Sequence, residues 1–91
     1  MIFMPTLCVF YGIIITMYRK KGGRHNIGHF HAQYQEHEAA ISFDGIILEG
    51  SIPNNKLKLV LAWAEIHRED LEANWMLLSD GREFFRIDPL R

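Results

Sequence analysis

Pro53 divides this chain of 91 residues into two stretches whose apolar residues follow different periods, and no single kind of secondary structure accommodates both. Before it, β-branched and aromatic residues cluster in short runs or alternate with polar ones. After it, apolar residues recur at three- and four-residue steps. A period of two sends successive side chains to opposite faces of a sheet, while a period near 3.6 gathers them on one side of a helix. The order is strands first and helix second. It predicts an α+β fold: an antiparallel sheet of about four strands in two hairpins, with a long C-terminal helix or helix pair packed on one face.

Within the first stretch, "TLCVFYG" and "IIITMYRKK" flank Gly12 and read as the first hairpin. The basic segment "RKKGGRHNIG" follows, and its paired glycines mark a turn or loop. "HFHAQYQ" then alternates, with Phe30, Ala32 and Tyr34 on one side and His29, His31, Gln33 and Gln35 on the other. "EAAISFDG" and "IILEGSIP" flank Asp44-Gly45, a hairpin signal because glycine tolerates positive φ. The run from "HFHAQY" to "EAAISF" can be one long strand or two.

In the second stretch Asn54 or Asn55 can cap a helix that Gly81 stops, with "KLKLVLAWAEIHREDLEANWMLLS" between them. Leu57, Val60, Leu61, Ala64, Leu71, Trp75 and Leu78 form one apolar face for the sheet. Leu59, Trp63, Ile66, Ala73 and Leu77 form a second stripe on nearly the opposite side. One sheet cannot cover both. Either the helix breaks near "HRED" and folds back, or the stripe Leu59, Trp63 and Ile66 is an interface, with plain core packing as the alternative role for Trp63. "REFFRIDPLR" reads as an extended tail over residues 82–91, and Met1 to Phe3 as an extension ahead of Met4-Pro5.

The length bounds the chain to one domain, 1–91, whose margin of stability is about a few kcal/mol unless it oligomerises, so a homo-oligomer or a small partner protein is expected. Apolar residues at 48% and charged residues at 23% exclude a disordered or low-complexity chain. The single Cys8 excludes an intrachain disulfide and a cysteine zinc cluster; it reads as an inert buried thiol in a cytoplasmic protein. The apolar N-terminus is cut by Pro5, Thr6 and Gly12, and its basic residues follow rather than precede it. No membrane association is expected from it. Net charge is −1, but residues 1–35 hold Arg19, Lys20, Lys21 and Arg24 and no acid. Lys20, Lys21 and Arg24 are therefore the candidates for contact with nucleic acid.

Residues 25–37, "HNIGHFHAQYQEH", hold four of the five histidines. His29 and His31 share a strand face about 6.6 Å apart along the chain, a spacing at which two imidazoles can converge on a divalent metal ion. His25 or His37, with Glu36 or Glu38, could complete such a site. Without metal, the same pair could act as general base and acid in RNA cleavage, with Lys20, Lys21 or Arg24 stabilising the anionic transition state. The structural alternative is that both are half-buried and hydrogen-bonded, and His67 on the helix has the same two options. Phosphate loops, nucleophile elbows, zinc-helix motifs and paired cysteines are absent.

Taken together, "MPTLCVFYGIIITMY", "GHFHAQY", "LKLVLAWAEIHREDLEANW" and "IDPL" resemble a family of small bacterial proteins catalogued as domain of unknown function 4160. The resemblance spans nearly the whole chain from Met4. Ile27-Gly28 stands where that family usually carries a Pro-Pro pair before the histidines. Members are frequently encoded beside a second small protein, family 2442. The resemblance thus implies a toxin–antitoxin-like or regulatory pair and names no reaction, while the stripe Leu59, Trp63 and Ile66 and the absence of a complete catalytic set point to a protein-interaction module. A small histidine-based or metal-dependent hydrolase acting on RNA is the alternative.

Overall fold

The computed structural model describes residues 5–19 and 27–91. Five strands, β1 (Thr6–Phe10), β2 (Ile13–Thr16), β3 (His29–Tyr34), β4 (His37–Ser42) and β5 (Ile47–Ser51), form one antiparallel sheet in sequential order. Two helices follow, α1 (Asn54–Ile66) and α2 (Arg68–Ser79). The mixed α+β architecture is the expected one. The strand count is five because "HFHAQY" and "HEAAIS" are two strands: Tyr34 pairs with His37, leaving Gln35-Glu36 as a two-residue turn. Gln35 carries the turn at φ 55 without glycine, asparagine or proline to announce it.

The other turns carry their usual chemistry. Phe10 pairs with Ile13 across Tyr11 and Gly12, both at positive φ. At the β4–β5 connection Gly45, at φ 88, donates to the Ser42 carbonyl, and the Ser42 Oγ accepts the Ile46 N–H at 3.1 Å.

Register places Cys8 and Phe10, Ile13 and Ile15, Phe30 and Ala32, and Ala39 and Ile41 on one sheet face. All are buried, and they share a core with Val60, Trp63, Ala64 and Leu71 from the helices. Helix α1 starts at Pro53, whose carbonyl accepts from Lys56 and Leu57 at 2.9 and 2.8 Å with no side-chain cap. Asn54 and Asn55 lie inside the first turn instead of capping it. Helix α2 ends in a Schellman motif, with Gly81 at φ 69 donating to Leu78 and Arg82 donating to Leu77.

The helical path breaks at His67, whose φ of −107° and ψ of 25° leave the α region. The His67 N–H still reaches the Trp63 carbonyl, and Leu71 still donates to His67, so hydrogen bonding continues through the break.

The expectation of an interface anchor at Trp63 is corrected. Trp63 is 0% exposed, with the rings of Phe10 and Phe30 at 5.6 and 5.8 Å. It lies beside Val60 and Ala64, the other buried residues of α1, so packing against those two phenylalanines claims it. Of the predicted stripe, Leu59 is partly buried against the core and Ile66 is 66% exposed.

Residues 82–91 form neither helix nor strand, yet they are tied down. Ile87 is buried and donates to the Leu7 carbonyl of β1, and the Trp63 indole N–H donates to the Asp88 carbonyl at 2.8 Å. The tail thus covers one edge of the sheet. Helix α2 is fixed at its start by an ion pair of Arg68 with Asp44 at 2.6 Å. Further along it, Trp75 packs on Phe43. Among the described residues, no helix is long and apolar enough to cross a membrane.

Candidate functional site

Alternation along β3 sends His29 and His31 to the face opposite Phe30 and Ala32, away from the α1-covered core. On that face Thr16, His31, Ala40 and Glu49 lie side by side across four strands, and His29 lies beside Ser42. The flanking strands therefore place a threonine and an alanine next to His31, with the Glu49 carboxylate one strand further on. A serine stands next to His29.

His29 is 7% exposed. Its Nδ1–H donates to the Ile27 carbonyl at 2.8 Å, which holds the proton on that nitrogen. The ring packs against Trp75 of α2, 5.2 Å between centroids, and edge-on to His31 at 5.4 Å. Gly28 before it lies flat against Phe43, where an added Cβ would stand 2.4 Å from the ring. His29 is thus locked at the junction of β3, β4 and α2.

His31 is more accessible. Its ring stacks on Tyr18 at 4.9 Å and 12°, and its Nδ1 lies 3.6 Å from Glu38 Oε1. Glu38 reaches it diagonally from β4, since its own partner on β3 is Gln33. A hollow of about 340 Å³ opens here, bordered by Tyr18, His31, Glu38, Ala40, Glu49 and Gly50. A carboxylate beside Nδ1 is the kind of neighbour that orients an imidazole in general acid–base chemistry.

The remaining predicted helpers among the described residues are dispersed. His37 lies on the other face, level with Tyr34, and pairs with Glu36 at 3.6 Å. His67 sits in the helix break with its ring 5.6 Å from Trp63 and its Nδ1 3.7 Å from Asp70. His25, Lys20, Lys21 and Arg24 lie outside the described residues, as do residues 1–3. Among the described residues, no group of three or more histidine, cysteine or acidic side chains is arranged to hold a metal ion.

Sequence reasoning missed Tyr18, which stacks on His31 from just beyond β2, and Glu49, which borders the same hollow from β5. It also missed Asn74. The one available signal was its position inside a helix, where asparagine is a poor former unless its amide is used. A second surface lies on the same sheet face toward the first turn. Val9 and Ile14 are directly paired there and exposed by 51% and 37%, with Tyr11 beside them at 56%.

Residues 12–76 match the family described as domain of unknown function (DUF4160). The match begins at the first turn and includes β2 to β5, α1 and α2 through Met76, and with them both strand histidines. No curated protein and no solved structure matches the chain.

Proposed function

Because the chain belongs to the family described as domain of unknown function (DUF4160), whose description specifies no reaction, we propose a function read from its surfaces: a protein-interaction or regulatory module, working as a homo-oligomer or with a small partner protein. The observation that carries this reading is the exposed pair Val9 and Ile14 with Tyr11, on a sheet face that α1 does not cover. Water gains from covering such adjoining apolar residues. A cytoplasmic, toxin–antitoxin-like pair is the specific form of this reading that the family resemblance suggests. The test is a Val9→Lys, Ile14→Lys double variant in light scattering and partner co-purification. We expect loss of partner co-purification or of assembly through this face; a folded variant whose mass and partner binding both match the wild type overturns the reading.

A second reading, a histidine-based or metal-dependent hydrolase acting on RNA, rests on the Glu38–His31–Tyr18 arrangement above its hollow. Any basic contribution would come from Lys20, Lys21 or Arg24. RNA cleavage that His31→Ala removes and His29→Ala reduces supports it, and metal content of the purified protein separates its two forms. Wild-type activity in both variants overturns it.

A further inference from the structure

The C-terminal segment Phe85–Asp88 is recognised through its main chain. Asn74 donates from Nδ2 to the Phe85 carbonyl at 2.9 Å and accepts the Phe85 N–H at 2.8 Å. The Ile87 N–H bonds to the Leu7 carbonyl at 3.0 Å, and the Asp88 carbonyl accepts from the Trp63 indole at 2.8 Å. Ile87 enters the core, and the flanking Phe84 and Leu90 pack partly against it. The groove between β1, α1 and α2 is thus a preformed acceptor for an extended strand, with a core pocket for Ile87.

The connector to this segment lies in solvent. Gly81, Arg82 and Glu83 are exposed, Gly81 sits at φ 69, and an added Cβ there would meet nothing within 4 Å. Turning about this connector would carry the segment out of its groove and take Ile87 out of the core, while the sheet and the helices keep their contacts with each other through Phe10, Phe30 and Trp63. An empty groove would leave the buried Asn74 amide and the Trp63 indole N–H without these partners, so the body favours an occupant.

We propose that the occupant in trans is the same segment of a second copy, so that two chains dimerise by exchanging Phe85–Asp88. A second copy brings the same four main-chain bonds and the same isoleucine. No new complementarity has to arise, and the exchanged and closed forms differ only in the connector and in the entropy of association. This surface is separate from the Val9–Ile14 face and does not rest on it.

The test is a full chain lacking Arg82 and Glu83, whose connector is shorter by up to about 7 Å and no longer lets the segment return to its own groove. Light scattering should give twice the monomer mass for this variant, and the monomer mass when Ile87→Asp is added. The Val9→Lys, Ile14→Lys changes should leave that dimer intact. A folded monomer for the shortened chain, or a dimer that survives Ile87→Asp, overturns the proposal. If the shortened chain does not fold, a labelled peptide of residues 82–91 is titrated into the full chain carrying Ile87→Asp. Saturable binding that the Ile87→Asp peptide lacks supports exchange, and its absence at millimolar peptide overturns it.

Discussion

Asn74 holds Phe85 by both polar groups of its main chain, donating to the carbonyl and accepting from the N–H at 2.9 and 2.8 Å. A side-chain amide here does what a neighbouring strand would do. It is fully buried in α2, where an unpaired amide would be costly, and the tail satisfies it.

Replacing Asn74 with alanine should therefore cost about 2–4 kcal/mol, because two hydrogen bonds vanish and the main-chain groups of Phe85 lose their partners. Urea unfolding measures this. Amide exchange at Phe85 and Ile87 should accelerate together, since the tail is released as a unit. A loss below about 0.5 kcal/mol, in the range of ordinary surface substitutions, would show that the tail contributes little.

Trp63 and Ile66 belong to one stripe of the sequence and to different environments in the fold. Trp63→Ala removes the ring between Phe10 and Phe30 together with the bond to Asp88, and should cost about 3–5 kcal/mol. Ile66→Ala, at a position 66% exposed, should change stability by less than about 0.5 kcal/mol in the same denaturation experiment.

Two glycines at similar φ should respond differently to alanine. Gly50 sits at φ 76 with its missing Cβ only 2.1 Å from the Glu38 carbonyl, so β4 and β5 must separate to admit a methyl group. Gly81 at φ 69 has open space around it. Thermal or urea unfolding should show a loss of at least about 2 kcal/mol for Gly50→Ala and about 1 kcal/mol for Gly81→Ala, the latter being the left-handed backbone strain alone.

Cys8 is buried beneath Trp63, and burial pushes its thiol above the ordinary range, outweighing the lowering by nearby Arg86. The unfolded chain therefore ionises first as pH rises. The thiol's contribution to stability is complete below the unfolded pKa and is lost as pH climbs toward the folded one. A thiol reagent at neutral pH should label Cys8 only in denaturant. A Cys8→Ala chain should lose less stability than the wild type between neutral and alkaline pH.

Local chemistry determined much of the architecture. Alternation around Gly12 and Asp44-Gly45 specified hairpins, the change of period after Pro53 specified helix, and Gly81 specified its end, because each depends on the φ/ψ preferences or the periodicity of neighbouring residues. Those signals also put His29 and His31 on one strand face. The tertiary structure decided what local chemistry leaves open. Gln35 takes positive φ because register between β3 and β4 requires a turn there, and this makes the fifth strand. The helix breaks at His67, and Trp63 turns inward because Phe10 and Phe30, distant in sequence, converge on it. Tyr18, Glu38 and Trp75 reach the two histidines through strand order and the course of α2. Asn74 finds its partners eleven residues onward in a segment with no periodic signal of its own. Contacts between residues far apart in the chain depend on how whole elements pack, and no local pattern encodes them.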